Sequence, residues 1–345
     1  MLENMHTYFE RDRIRIIRDD VLQTNEIKAN SIDLIVTSPP YNVGIDYNST
    51  DDKISYEQYK TFSKNWMVRC YEWLKEDGRF CLNIPLDKNK DGHRSVGADL
   101  TSIATRDLKF KYHTTIVWNE GNISRRTAWG SWKSASAPHI ICPVELIVVL
   151  YKGEWKKTSG SQISDISKEH FLDWTNGLWT FNGEKKKRIG HPAPFPRMLP
   201  LRCIQLFSYI GDTVLDPFMG SGTTLVETYI NNRDGIGIEI DPQYCEIAVQ
   251  RLVKEAHLDL KNPKKPITPS GKINPHNKRF TQSDIILQHL KDYPSIEMSY
   301  TDIREWLNGE VEKGIFENIK HPEKLMRTLA KEGKITRLES GLFRY

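Results

Sequence analysis

The sequence predicts an α/β fold: a doubly wound, mainly parallel sheet with helices on both faces, followed by a small α+β module. Three observations predict it. Apolar runs of strand length alternate with amphipathic stretches of helix length from Arg13 to His257. Two strand ends run into breaks with special backbone needs, Pro39-Pro40 after Val36 and a Gly-x-Gly after Leu215. A proline-rich basic stretch then separates residues 280–345 from the rest.

In chain order, Arg13 to Ile17 alternates like a strand, and Ile32 to Val36 is an apolar run that feeds the Pro-Pro break. Tyr56 to Leu74 carries apolar and aromatic residues at helical spacing and stops before the turn signal Asp77-Gly78. Phe80–Ile84, Thr114–Trp118 and Leu146–Tyr151 read as buried strands. Arg197–Tyr209 reads as a helix, Thr213–Leu215 as a strand, Thr223–Asn231 as a helix, Gly235–Ile240 as a strand and Pro242–His257 as a helix. Residues 261–279 hold four prolines, six Lys or Arg and no acid, a composition suited to a linker or basic strap. Beyond it, helical patterns at Gln282–Lys291, Tyr300–Leu307 and Pro322–Lys331 precede a hairpin pattern at Lys334–Tyr345 that turns at Ser340-Gly341. Three helices and a hairpin predict a winged-helix-like module. The expected organisation is a catalytic domain over 1–260, a linker over 261–279 and this module over 280–345.

Composition narrows the function classes. A chain of 345 residues with 38% hydrophobic residues can bury a large core. No apolar run approaches the roughly 20 residues that span a bilayer. The first residues lack the pattern of a signal peptide, so the expected location is the cytoplasm and no membrane partner is expected. The five cysteines are scattered, without Cys-x-x-Cys, so neither a metal site nor a disulfide framework is expected. A net charge of +4 permits a polyanionic partner without requiring one. Basic runs at Arg125-Arg126, at Lys152 with Lys156-Lys157, and at Lys185-Lys186-Lys187-Arg188 each read, taken alone, as solvated surface.

The segment Val214-Leu215-Asp216-Pro217-Phe218-Met219-Gly220-Ser221-Gly222-Thr223-Thr224 is a strand, a small-residue turn and a helix start. Gly220 and Gly222 let the backbone bend and approach a ligand, and the helix start offers N–H groups to an anion. The next strand ends in Glu239-Ile240-Asp241, where an acid can bind both hydroxyls of a ribose. No Gly-Lys-Ser/Thr follows the turn, so a phosphate-bearing nucleotide fits poorly. A ribose with an amino-acid tail fits better. Val36-Thr37-Ser38-Pro39-Pro40-Tyr41 closes the strand Ile32–Val36, at the strand end where α/β folds bind ligands. An exocyclic nucleobase amine is a poor nucleophile, because its lone pair is delocalised into the ring. Hydrogen bonds from its hydrogens to Ser38 and the Pro39 carbonyl would localise that pair for in-line attack on a sulfonium methyl. Pro40 stiffens the loop, and Tyr41 offers an aromatic face to a base flipped from the duplex. Cysteine-dependent C5 methylation is excluded, since the chain has no Pro-Cys pair.

With these segments the chain resembles the β-group of N4-cytosine/N6-adenine DNA amino-methyltransferases of restriction–modification systems, in which the catalytic tetrapeptide precedes the cofactor turn. Arg18-Asp19-Asp20, His191-Pro192-Ala193-Pro194-Phe195-Pro196 and Gly237-Ile238-Glu239-Ile240-Asp241-Pro242-Gln243-Tyr244 extend the likeness, which covers about Arg13 to Leu252. It implies a Rossmann-like methyltransferase sheet that uses S-adenosyl-L-methionine without a metal. Asp216, Phe218, Gly220, Gly222 and Thr223, with Thr37, would surround the methionine portion, walled by His191 to Pro196. Glu239 would hold the ribose, Ile240 would flank the adenine, and Asp20 would meet the adenine amino group. Many relatives carry Gln-Lys where this chain has Pro194-Phe195, so no lysine contact carries over. Target recognition would lie at about 119–188, where Arg125, Arg126, Trp129, Trp132, Lys133 and Lys185 to Arg188 mix cations with aromatics suited to double-stranded DNA.

Ser-Pro-Pro-Tyr after Val-Thr is closer to the N4-cytosine pattern, with N6-adenine as the alternative. A non-catalytic DNA-binding regulator is the alternative of another class, and the intact Ser38–Tyr41, Asp216 and Glu239 speak against it. The expected setting is a modification enzyme, monomeric or homodimeric, paired functionally with a cognate restriction endonuclease.

Overall fold

A computed structural model describes residues 6–42, 46–47, 50–51, 54–87, 94–121, 131, 133–138, 144–183, 196–260, 327, 329–331, 336–337 and 343–344. The chain divides into two compact units, Met1–Pro269 and Ser270–Tyr345.

The first unit is built on nine strands. In chain order they are β1 (Thr7–Arg11), β2 (Ile14–Arg18), β3 (Ile32–Thr37), β6 (Leu74–Pro85), β7 (Lys111–Asn119), β8 (Val144–Tyr151), β9 (Leu178–Thr180), β10 (Thr213–Asp216) and β11 (Asp234–Glu239), while β4 (Asp46–Tyr47) and β5 (Thr50–Asp51) form a separate pair. The large sheet runs in the order β1-β2-β11-β10-β3-β6-β8-β7-β9. From β2 to β6 all neighbours are parallel, as expected. Beyond β6 two pairings are antiparallel, because β8 alone runs against both β6 and β7, while β7 and β9 pair in parallel. Apolar pattern reports burial and carries no strand direction. The reversal has a consequence for the site: it sets the start of β8 beside the end of β6, with Glu145 opposite Pro85.

The alternation of side chains along the strands separates the core into faces. On β3, Ile35 joins one cluster while Leu34 and Val36 join another. On β6, Phe80, Leu82 and Ile84 join the first and Cys81 the second. The first cluster is covered by α1 (Tyr56–Trp73) and α2 (Val96–Ser102), which runs on into a π-type turn at Ile103–Asp107. The short helix α3 (Lys168–Trp174) leads to β9. Then α4 (Met198–Phe207) covers the second cluster, while α5 (Thr223–Ile230) and α6 (Pro242–Glu255) enclose a third against β2. The starts of α1 and α6 carry capping signals. Ser55 and Gln58 form a reciprocal capping box on α1. Asp241 accepts from Gln243 N at 2.7 Å, with Pro242 opening α6.

Lys152 and Lys157 correct the reading of their run as solvated surface. Both are buried, and Lys157 Nζ lies 2.7 Å from Asp33 Oδ1 and 3.5 Å from Asp212. Asp33 also takes Lys75 at 2.7 Å and the Thr213 N–H at 3.0 Å, so this ion cluster clamps the amino ends of β3 and β10. Burial pushes the Asp33 carboxyl up, but Lys157 and Lys75 outweigh it and hold it below its ordinary value.

In the second unit, β12 (Thr336–Arg337) and β13 (Phe343–Arg344) pair antiparallel, as the hairpin pattern predicts, and residues 327 and 329–331 are helical. The patterns at 282–291 and 300–307, and the linker at 261–279, lie outside the described residues. Among the described residues no helix is long and apolar enough to cross a membrane.

Candidate active site

One edge of the sheet collects the chemistry. The carboxyl ends of β2, β3, β6, β10 and β11 lie together there, joined by the amino end of antiparallel β8. The chain leaves β10 for β11 on one side, while β3 and then β6 lie on the other. The crevice between β10 and β3 is therefore a topological switch point, where open α/β sheets take their ligands.

Asp216 ends β10 and is wholly buried. Its Oδ1 accepts from Thr37 Oγ1 at 2.7 Å and from Phe218 N at 3.1 Å, and its Oδ2 accepts from Thr224 Oγ1 at 2.6 Å. One carboxylate thus ties the end of the Ser-Pro-Pro-Tyr strand to the glycine turn and to the start of α5. Burial pushes this carboxyl up to about 6 despite the three donors. Asp216 and Thr37, both expected beside a ligand, stand at the carboxyl ends of β10 and β3 and are bonded to each other. Phe218 packs edge-on to Trp66 at 5.2 Å between ring centroids and to Phe62 at 6.2 Å.

Gly220 takes φ 51° and Gly222 φ 78°, so both turn residues use the left-handed region. Gly222 has a second requirement: a Cβ there would stand 2.7 Å from the Cβ of Ala248 on α6. Its smallness thus serves helix packing as well as the turn. Thr223 is buried and its hydroxyl accepts from Arg251 Nη1 at 2.9 Å. The same nitrogen reaches Ser221 O at 3.0 Å and Ser221 Oγ at 3.1 Å, so an α6 side chain holds the turn from beneath.

Glu239 ends β11 with each oxygen anchored: Gly220 N donates to Oε2 and Asp241 N to Oε1, both at 2.9 Å. Burial raises this carboxyl to about 7, against the pull of those N–H groups. Each oxygen keeps a lone pair suited to a ribose hydroxyl. Ile240 follows with 42% of its surface exposed, an unusual freedom for an apolar residue at a strand end. Asp20 sits just past β2, the neighbour of β11, and its Oδ1 accepts from Leu22 N at 2.9 Å. An anchored acid, an exposed apolar side chain and a positive-φ glycine turn together fit a nucleoside carrying an amino-acid tail.

Across the crevice, Ser38 Oγ and Tyr41 Oη lie 2.5 Å apart. Tyr41 packs against the first core cluster, and its hydroxyl is held by two residues that the sequence motifs do not contain. Asn83 Nδ2 donates to it at 2.9 Å, and it donates to Glu145 Oε2 at 3.0 Å. Burial pushes the phenol well above its ordinary value, and Glu145 adds to this. A polar signal in the sequence was available for both partners: Asn83 interrupts the apolar run Phe80–Ile84, and Glu145 opens the run Leu146–Leu150.

Of the expected DNA contacts, Lys133 is exposed. Arg125, Arg126, Trp129, Trp132, Lys185, Lys186, Lys187 and Arg188, like His191 in the cofactor set, lie outside the described residues.

Fold and site define a class: an α/β methyltransferase that sets a nucleoside-cofactor turn beside a Ser-Pro-Pro-Tyr loop. By sequence, the chain is 62% identical over 176 residues to the type II methyltransferase M.MjaVI of Methanocaldococcus jannaschii, spanning 51% of this chain and 89% of that one. It is 27% identical over 336 residues to the type II methyltransferase M.HpaI of Haemophilus parainfluenzae, spanning 94% and 98%. Among solved structures, a putative DNA modification methylase from Thermus thermophilus aligns with a TM-score of 0.56 and 27% identity, over 71% of this chain and 96% of that one. PvuII DNA methyltransferase (cytosine-N4-specific) shares the fold at a TM-score of 0.57 and 20% identity, over 75% and 91%. The DNA methylase family model matches residues 32–250, and the chain belongs to that family, in its β-group of amino-methyltransferases, with the tetrapeptide ahead of the cofactor turn.

Proposed function

We propose that the chain transfers a methyl group from S-adenosyl-L-methionine to N4 of cytosine in duplex DNA, as the modification enzyme of a restriction–modification system. The observation that carries this reading is the junction at the switch point, where Thr37 and Asp216 join the Ser-Pro-Pro-Tyr strand to the glycine turn at 2.7 Å. Such a junction sets a methyl donor in the turn and an amine at Ser38 within one crevice, and proximity of this kind lowers the barrier to in-line displacement. The cofactor, when bound, supplies an electrophilic methyl group on a sulfonium.

The chain's own residues do the rest. Glu239 binds the ribose hydroxyls and Ile240 covers one face of the adenine. Ser38 Oγ and the Pro39 carbonyl accept the two amine hydrogens and so direct the nitrogen lone pair at the methyl group. Tyr41, with its hydroxyl fixed, presents a rigid ring to the flipped base. Cytosine is favoured because the neutral Ser38 hydroxyl occupies the position where adenine enzymes more often carry Asp or Asn. Arg125, Arg126, Trp129, Trp132, Lys133 and Lys185 to Arg188 are the proposed DNA-contacting set, acting on phosphates and on the gap left by the flipped base.

The test is mass spectrometry of nucleosides from unmethylated DNA incubated with the protein and S-adenosyl-L-methionine. N4-methylcytosine is expected. N6-methyladenine instead would keep the mechanism and overturn the base. The absence of both, with the cofactor shown to bind, would overturn the activity.

A further inference from the structure

Glu145 belongs to neither sequence motif, yet it is the far end of a hydrogen-bonded chain that begins at Ser38. It stands second in β8, between Pro85 of β6 and Trp118 of β7. Its Oε2 accepts from Asn83 Nδ2 at 2.6 Å and from Tyr41 Oη at 3.0 Å. The same Asn83 nitrogen donates to Tyr41 Oη at 2.9 Å, and Ser38 Oγ lies 2.5 Å from that oxygen.

Counting protons fixes the direction of the chain. An ionised carboxylate only accepts, an amide nitrogen only donates, and a phenol has one proton to give. With Asn83 donating its amide hydrogens to both neighbours, the Tyr41 proton has two acceptors, Glu145 Oε2 at 3.0 Å and the Asn83 carbonyl at 3.3 Å, and the shorter contact to a charged oxygen is the stronger one. The Ser38 hydroxyl, which can run either way, must then donate to Tyr41. Ser38 Oγ is left with its lone pairs turned outward, the arrangement that an incoming amine N–H requires.

Resting on the methyl-transfer reading above, we propose that Glu145 is a positioning residue that polarises the Glu145–Tyr41–Ser38 relay and is the final acceptor of the proton the amine sheds. As the nitrogen–methyl bond forms, the methyl–sulfur bond breaks and its electron pair stays on sulfur. The methylated nitrogen, now cationic, gives one proton to Ser38 Oγ. The Ser38 proton moves to Tyr41 Oη, and the Tyr41 proton moves to Glu145 Oε2. The amine ends neutral and the carboxylate ends as a carboxylic acid, which returns its proton to water between turnovers.

The surroundings of Glu145 suit this role. Burial raises its carboxyl to about 7, the Asn83 hydrogen bond opposes that, Glu120 after β7 raises it further, and Tyr41 opposes again. The titratable groups that face it are thus Tyr41 from the loop after β3 and Glu120 from the end of β7, while Asn83 faces it from β6 without titrating. An acid that titrates near neutrality suits proton uptake. Once protonated it would donate to Tyr41 and turn a Ser38 hydrogen toward the amine, so the rate should rise with pH through this range.

The experiment is single-turnover methylation of duplex DNA by the full chain from about pH 5.5 to about pH 9, for wild type, Glu145→Gln and Tyr41→Phe. Glutamine keeps the shape and can accept from Tyr41, but it carries no charge and takes up no proton. Phenylalanine keeps the stacking ring and deletes the relay. Both variants should lose on the order of 10²-fold in rate at high pH and lose the acidic limb, with cofactor affinity within about twofold of wild type. The double variant should be no slower than the worse single one. Independently of turnover, the infrared difference between wild type and Glu145→Gln should contain a carboxylic C=O band that titrates near neutrality. Tyr41→Phe serves if Glu145→Gln does not fold. Variants that keep the wild-type rate and acidic limb, or a missing carboxyl band, overturn the relay alone. A wild-type protein that methylates no DNA amine overturns the proposed function, and the relay with it.

Discussion

Replacing Asp216 with asparagine should make the cofactor-free protein more stable at neutral pH, by an amount that depends on pH in a calculable way. The side chain keeps its shape, so Phe218 N–H and the Thr37 hydroxyl can still donate to its oxygen, and its new amide can donate to Thr224. What disappears is a buried ionisable group. Burial raises the Asp216 carboxyl from 3.8 to about 6, a difference that corresponds to about 3 kcal/mol. The sign follows from proton counting. Between those two pH values the folded protein holds the proton and the unfolded chain does not, so wild-type stability falls as pH rises. The contribution is complete below the unfolded value and is lost once pH has passed about 6. The asparagine variant has no such slope. Its stability relative to wild type should therefore climb by about 3 kcal/mol between about pH 3 and about pH 7. Glu145 and Glu239 also titrate near neutrality, but they are common to both proteins and cancel in the difference. Urea unfolding followed by tryptophan fluorescence across that range measures it. A difference that stays constant within about 0.5 kcal/mol would refute a raised Asp216.

Three further outcomes are expected. Lys157→Met leaves Asp33 and Asp212 without their buried cation and should cost about 3–5 kcal/mol by denaturant unfolding, with a smaller loss if Lys75 compensates at Asp33. Gly222→Ala places a Cβ against Ala248 at a left-handed φ. Backbone strain of roughly 1–2 kcal/mol plus overpacking of about 1–3 kcal/mol should lower the unfolding midpoint and weaken cofactor binding in the same variant; a wild-type midpoint would count against this packing role. Ser38→Ala should lower turnover on the order of 10²-fold, the scale for losing one preorganised contact to a transition state. Calorimetric cofactor affinity should stay unchanged, because the proposed role of Ser38 is toward the amine and the turn is held by Asp216 and Arg251.

The strands and helices that carry the site were legible in the sequence because each has its own local signal. The run Ile32–Val36 ends at two prolines, the run through Leu215 ends at a Gly-x-Gly, and Asp241-Pro242 announces α6. Burial and turn chemistry are properties of neighbouring residues, and so they survive in a one-dimensional reading. The short elements β1, β9 and α3 escaped it, being five, three and seven residues long with mixed exposure. Tertiary structure alone decided the direction of β8. Direction depends on how the chain returns to the sheet, and no residue of β8 encodes it. That choice sets Glu145 beside Tyr41, 104 residues away in sequence. Tertiary structure likewise decided why particular motif residues matter. Asp216 holds two strands together from within, and Gly222 yields space to Ala248. Lys157 neutralises buried acids where its sequence neighbours suggested a wet basic surface. The residue types needed for methyl transfer are local in the chain. The hydrogen bonds that orient them join positions far apart in it, and only the packed sheet brings those together.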